Sequence, residues 1–438
     1  MKILIADWDS FGDKDIEEVF ARGGHEVFKS PYVESEGEEV CARQIADFKL
    51  AIERFGPDCV FSFNYFPPVS NVCQEANVPY LSWVYDSPYM HLYSTSVMNP
   101  VNRIFLFDAG MYQILASRGI ETVYHLSLGV NTARYNRQCG TPAAPKKPGH
   151  IDLTKGRLSL ESDISFVGSL YTEERHQLYD MIRPSEYVGG YLEAIIAAQK
   201  HVYGADIIEP LHTDEIVEEI QKSFPYAVEN DITMTAREFY SQYVLARKVT
   251  SIERCEIMEM LGRYSELISN TNPSSKSSDR INTDGSSSTA DKHAGTSVNS
   301  RKQSLKVLLF TNDIDVHFKN IKNIGAVEYY KEMPDVFRSA KINLNITLRS
   351  ILTGIPLRAL DIMASGGFLL SNYQTELDTG FIAGEEYDYY SDYGELIGKI
   401  DYYLSNDKER RAIAAAGWEK IQSEYSMDER VKVMLGYV

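Results

Sequence analysis

From the first residue, short runs of β-branched and aromatic residues alternate with longer stretches of helical period, and this alternation restricts the fold more than any single motif does. The runs at 3–8, 26–29, 58–63, 80–85, 103–107 and 122–126 are predicted strands; 14–22, 38–54 and 109–118 carry the apolar spacing of helices. Sequential strands joined by crossover helices run parallel and right-handed, so 1–135 is expected to be one doubly wound, Rossmann-like domain. The stretch TPAAPKKPGH can continue neither kind of element and reads as part of a linker over 136–162.

A second alternating unit begins at Asp163. ISFVGSLYTEERHQL reads as strand, turn at Gly168 and helix, a helical insertion runs to about Leu267, and further strands are predicted at 306–310, 327–329, 342–346 and 368–371. The second α/β domain is therefore expected over 163–425, leaving 426–438 as a closing helix placed to cross back to the first domain. Within it, 272–304 is dominated by Ser, Thr, Asn, Asp and Gly and holds no aromatic residue, so it is expected to be a disordered loop. At 438 residues the chain has room for two such domains.

Lys and Arg number 44 against 62 Asp and Glu, a formal charge of −18, which argues against a broad basic face and hence against nucleic acid as a partner. No stretch has the ~18 to 20 continuous apolar residues of a membrane span. The start MKILIADWDS lacks the pattern of a signal peptide, so a cytoplasmic protein is expected. The five cysteines are scattered, without CxxC or Cys/His ligand spacing, and suggest neither a disulfide framework nor a zinc site.

The segment KINLNITLRSILTGIPLRALDIMASGGFLLSN, Lys341 to Asn372, is the richest in chemistry. It reads strand, loop, helix, Gly-Gly turn, strand. Pro356 stands where a first helical residue would, so the helix 357–365 presents its unpaired N–H groups and positive dipole end to the preceding loop, where a phosphate fits. Gly354 lets backbone approach such a ligand; Arg349 and Arg358 can supply guanidinium forks to a diphosphate, with Ser350 in the same loop. Asp361 lies three residues after Arg358 on the same helix face and can accept from ribose hydroxyls, although an Arg358–Asp361 ion pair is the plainer reading.

PLRALDIMASGGFLLSNYQTEL resembles the donor-site signature of the GT-B glycosyltransferases, specifically the branch similar to the spore-maturation protein CgeB, with its P-x-R-x-x-D/E-x-x-A-x-G-G run. EYYKEMPDVFRSAKINLNIT upstream, the closing YDYYSDYGELIGKIDYYLSNDKERR and the N-terminal MKILIADWDSFGDKDIEEVF and SWVYDSP extend the likeness over most of the chain outside the insert. The resemblance implies two facing Rossmann-like domains, a nucleoside-diphosphate-sugar held mainly by the second, and sugar transfer in the cleft to a glycan or protein acceptor. It also implies that the diphosphate is held by helix dipole and basic side chains, with no obligatory metal and no further cofactor. Many retaining members place two acids eight positions apart around this helix; here the second falls on Asp361, whereas the first is Thr353.

Gly168 and Ser169 at the first turn of the second domain are further donor candidates, and Thr311, Asn312 and Asp313 follow a predicted strand toward the base or sugar. Asp9, Ser10, Phe11 and Gly12 form the first loop of the first domain. A transfer to a hydroxyl calls for a general base, for which Asp86 in VYDSPY is preferred, with His91 nearby as a second candidate. Two other readings stay open: a nucleotide-sugar binder without turnover, suggested by Thr353, and an epimerase. The tyrosine clusters at Tyr387 to Tyr393 and at Tyr402 and Tyr403, among 29 tyrosines, are expected to be mostly packing.

Overall fold

The computed structural model describes residues 1–33, 38–147, 151–153, 156–226, 234–270 and 304–438. In the first domain six parallel strands, β1 (Lys2–Asp7), β2 (Glu26–Pro31), β3 (Cys59–Phe63), β4 (Tyr80–Val84), β5 (Asn102–Leu106) and β6 (Val123–His125), lie in the order β2-β1-β3-β4-β5-β6. Strands β3 and β4 are buried at every position, since helices cover both faces, and so read as continuous apolar runs.

The second sheet is also parallel: β7 (Ser162–Val167), β8 (Val307–Phe310), β9 (Ile321–Asn323), β10 (Ala340–Asn345), β11 (Leu369–Asn372) and β12 (Asp388–Tyr390), in the order β9-β8-β7-β10-β11-β12. Consecutive crossovers change direction between β7 and β10, so the loops at 168–172 and 346–356 diverge there and open a crevice. Its counterpart in the first sheet lies between β1 and β3. Between β7 and β8 the helices Glu186–Gln199, Asp214–Ser223 and Ala246–Asn270 form the insertion, with their own buried core around Leu192, Ile220 and Val249.

Two strands depart from expectation. The segment 327–329 is not a strand: the edge strand is Ile321–Asn323, and the chain turns away through Gly325 at φ 93. Tyr329 and Tyr330 meet the first domain instead, the Tyr329 ring against Phe11 (5.2 Å) and the Tyr330 hydroxyl donating to the Phe11 carbonyl, while the Tyr329 hydroxyl donates to Asp361 in its own domain (3.1 Å). Conversely, the first tyrosine cluster contains β12, with Tyr387 and Tyr390 fully buried. The segment 272–303 lies outside the described residues.

The two domains share one continuous apolar cluster, running from Ile3 and Phe61 to Phe337 and Leu360. The helix Met427–Leu435 lies on the first domain: Arg22 forks to Asp428 (2.9 and 2.7 Å), and Val130 and Ser426 form a parallel bridge. No described helix is long and apolar enough to cross a membrane.

Candidate active site

A cavity of ≈ 700 Å³ lies at the crevice, lined by both domains. The first-domain wall comes from the ends of β1 and β4. Phe11 projects from the first loop and packs on Tyr85 (ring centroids 4.6 Å), whose hydroxyl pairs with Ser10 (2.8 Å). Asp86 follows Tyr85; Asn64, in the left-handed region at φ 58, donates to its Oδ2 at 2.7 Å and leaves Oδ1 open. The carboxyl opens to cleft solvent but is crowded by both walls, and this desolvation raises its pKa. His91 lies on the same wall in the short helical turn Met90–Tyr93, its ring against Tyr89 (5.1 Å).

The second-domain wall is cationic. Gly168 and Ser169 form the turn after β7, and Pro356, Leu357 and Arg358 open the helix Leu357–Ala364, whose N-terminus no side chain caps. Pro356 is the N-cap itself rather than the first helical residue. Arg254 bridges the two diverging loops, donating to the carbonyls of Ser169 (2.5 Å) and Ile346 (3.2 Å), and has no carboxylate partner among the described residues. Arg247 has neither hydrogen bond nor ion pair among the described residues; its guanidinium lies over the rings of Tyr171 (5.8 Å) and Tyr243 (5.9 Å). The Tyr243 hydroxyl and His176 Nδ1, on the same cavity, also lack partners.

Tyr243, Arg247 and Arg254 all belong to the insertion and were absent from the sequence-derived candidates. Their spacing of four and then seven residues puts them on one helical face, which is the signal that points to them. Just before the helix Ala246–Asn270 the backbone is π-helical over Tyr240–Leu245, an irregularity often found where side chains are re-aimed at a site.

Four of the predicted donor residues lie elsewhere. Arg349 is buried, with its side chain 7 % exposed; it pairs with the fully buried Glu253 (2.8 and 3.0 Å), donates to the carbonyls of Val202 (2.9 Å) and Lys200 (3.1 Å), and covers the Tyr203 ring. It ties the insertion to the second sheet and commits four of its five N–H donors there, in a place away from the cleft cavity. Ser350 donates to the Ser87 carbonyl across the domain boundary (3.0 Å). Gly354 faces the first domain, where an added methyl would meet Phe107 at 2.8 Å and Asp108 at 2.9 Å, so close packing rather than ligand approach requires glycine. Asp361 is 1 % exposed, accepts from the hydroxyls of Tyr135 (2.7 Å) and Tyr329 (3.1 Å), and pairs with Arg358 at 3.3 Å, the plain ion pair of the helix face. No ribose reaches it in this arrangement. Thr311 and Asp313 are likewise committed, Asp313 accepting from Leu170 N–H (2.8 Å) and the Thr172 and Thr311 hydroxyls (2.6 and 2.8 Å) to hold the loop after β7.

Beside the cleft, Asp108 fastens the domains. It accepts from the N–H groups of Leu352 (2.8 Å), Thr353 (3.0 Å) and Gly354 (3.3 Å) and from the hydroxyls of Ser87 (2.8 Å) and Thr353 (3.0 Å). The single proton of the Thr353 hydroxyl is shared between Asp108 and Glu376 (2.7 Å), and Glu376 meets His125 at 3.0 Å. The hydrogen bond that His125 donates to Glu376 raises the His125 pKa. Burial pushes the Glu376 carboxyl up, but hydrogen bonds from His125, Ala109 N–H and Thr353 outweigh it and hold the pKa below its ordinary value. The His125 contribution is complete below the free-histidine pKa of ~6.5 and lost as pH rises through the raised value; the Glu376 contribution is present above ~4.3 and lost as pH falls through the lowered one. The thermal midpoint is therefore expected to fall on the alkaline side of ~pH 6.5, and His125→Gln to flatten that slope. Because His125 is partly exposed, the effect is small.

Residues 297–436 match the family model described as glycosyl transferase-like, whereas no curated protein matches the chain. Among solved structures, a glycosyltransferase from Rickettsia africae ESF-5 superposes with TM-score 0.50 at 9 % identity, covering 99 % of this chain and 97 % of that one. The fold is GT-B. HepE of Anabaena in complex with UDP-glucose gives TM-score 0.48 at 8 % identity, with both chains covered in full, and a sucrose-phosphate synthase from Thermosynechococcus elongatus 0.47 at 11 %, covering 100 % of this chain and 98 % of that one. The cationic cavity thus sits between the facing domains of a GT-B molecule, at the strand ends of both sheets.

Proposed function

We propose that the protein transfers a sugar from a nucleoside-diphosphate-sugar to the hydroxyl of a glycan or protein acceptor, within the CgeB-like branch that its P-x-R-x-x-D-x-x-A-x-G-G run resembles. The observation that carries this reading is the convergence of Arg247, Arg254 and Arg358 on one cavity in a chain of net charge −18, with Asp361 the one carboxylate in direct contact with any of the three among the described residues. A cavity with that excess of positive charge suits a compact dianion.

In this reading Arg247 and Arg358 fork onto the diphosphate, Arg254 keeps its loops apart and adds charge, and the Leu357 helix end and Ser169 in the turn after β7 supply backbone N–H groups. As the glycosidic bond to the leaving phosphate breaks, these groups stabilise the developing negative charge without a metal ion. Asp86, deprotonated, takes the acceptor proton. Asp361 and Arg349 act as positioning residues, not as contacts.

Arg247→Ala tests the reading with little risk to folding, since Arg247 makes no hydrogen bond or ion pair among the described residues and only lies over two tyrosine rings. Losing one desolvated guanidinium–phosphate contact is expected to cost about 1.5–3 kcal/mol, a ten- to hundredfold weaker affinity. Thermal shifts against UDP-, GDP-, ADP- and dTDP-sugars read it: a donor that stabilises the wild type and the variant equally would remove Arg247 from the site. Nucleotide-sugar binding without turnover is the second reading, favoured by the burial of Asp361 under two tyrosines, and any transfer by the wild type separates the two.

A further inference from the structure

The Gly366-Gly367 turn and the proline-rich linker, two features the cleft does not use, meet at a second cavity of ≈ 330 Å³. It lies at the opposite edge of the second sheet, where β10 and β11 begin. Arg338, Lys341, Arg410 and Arg411 line it, with no acid among the described lining residues, in a chain where acids outnumber bases. The plain explanation is that these cations cap carbonyls, and it covers part of the arrangement. Arg338 donates to the carbonyls of Cys139 (3.2 Å) and Lys146 (3.0 Å) and pairs with Asp335; Arg410 donates to that of Lys341 (2.7 Å) and pairs with Asp407, neither acid lining the cavity.

That explanation stops short of the rest. Both guanidiniums are nine-tenths buried, with side chains 9 % and 8 % exposed, yet the Nε–H of each has no acceptor among the described residues. A buried N–H left without an acceptor is costly even where the guanidinium that carries it is ion-paired. Lys341 and Arg411 cap no carbonyl; they pair with Asp163 (2.7 Å) and Asp407 (2.7 Å), neither of which lines the cavity, and stay 48 % and 73 % exposed.

We propose that this cavity binds a small phosphate-bearing anion, separately from the cleft. Because one wall is the linker and the other the second domain, an occupant ties the two together. The site does not depend on the glycosyltransferase reading.

Calorimetric titration with inorganic pyrophosphate tests it on the wild type, on Lys341→Glu/Arg411→Glu and on Arg247→Ala. Two binding events are expected in the wild type. The double charge reversal should weaken one about tenfold or more and spare the other; Arg247→Ala should do the converse. A single event lost in the charge-reversed protein but kept in Arg247→Ala would uphold this site and count against the cleft. Thermal melts establish that the charge-reversed protein is folded, and Lys341→Gln/Arg411→Gln, a milder change at the same half-exposed positions, should weaken the same event to a smaller degree. Pyrophosphate binding unchanged within about twofold in both folded double variants would overturn the proposal.

Discussion

Arg349→Ala is expected to destabilise the protein by about 3–5 kcal/mol, because it strands a carboxylate with no exposed surface. Glu253 would keep the Tyr203 hydroxyl (2.6 Å) as its remaining partner, and Lys200 and Val202 would lose the donors that hold their carbonyls. Restoring neutrality with Arg349→Ala/Glu253→Gln should recover a good part of the loss, so that the double variant costs less than the two single ones together. Equilibrium denaturation of the four proteins measures both effects. A loss below about 1 kcal/mol in Arg349→Ala would mean that the pair is open to solvent and that the insertion is held otherwise.

Asp86→Asn is expected to lower kcat by about two to four orders of magnitude while leaving nucleotide affinity close to that of the wild type. The amide keeps the hydrogen-bonding size of the side chain and removes its basicity. The pH dependence carries the same sign: the base works deprotonated, and burial raises its pKa, so turnover should fall as pH drops through that raised value. In the variant this acid limb should disappear from the residual rate. Transfer by Asp86→Asn at the wild-type rate would place proton removal on another group or on the leaving phosphate.

The inner strands of the two sheets were legible because they are buried on both faces, which writes them as unbroken runs such as the ILIA of β1 or the CVFSF of β3. The short edge strands were not: Ile321–Asn323 and Asp388–Tyr390 have three residues each, and their side chains carry no run long enough to distinguish strand from loop. At the site, the helix end at Pro356 and the cleft residues Asp86, His91, Gly168, Ser169 and Arg358 follow from the rule that α/β sheets bind at strand ends. Arg349 and Asp361 misled because burial is a property of partners distant in sequence. Glu253 lies 96 residues from Arg349, and Tyr135 lies 226 residues from Asp361. Arg247 and Arg254 escaped for the mirror-image reason, since an insertion read as decoration folds back over the crevice and lends it charge.

Calorimetric titration of the wild type with UDP, GDP, ADP and dTDP measures most directly whether the interdomain cavity is a nucleoside-diphosphate site. One of the four is expected to bind with a component of the isotherm that Arg247→Ala and Arg358→Ala each weaken by tenfold or more, about 1.4 kcal/mol, and that Lys341→Glu/Arg411→Glu leaves unchanged. Failure of all four to bind, or binding indifferent to both cleft arginines, would contradict it.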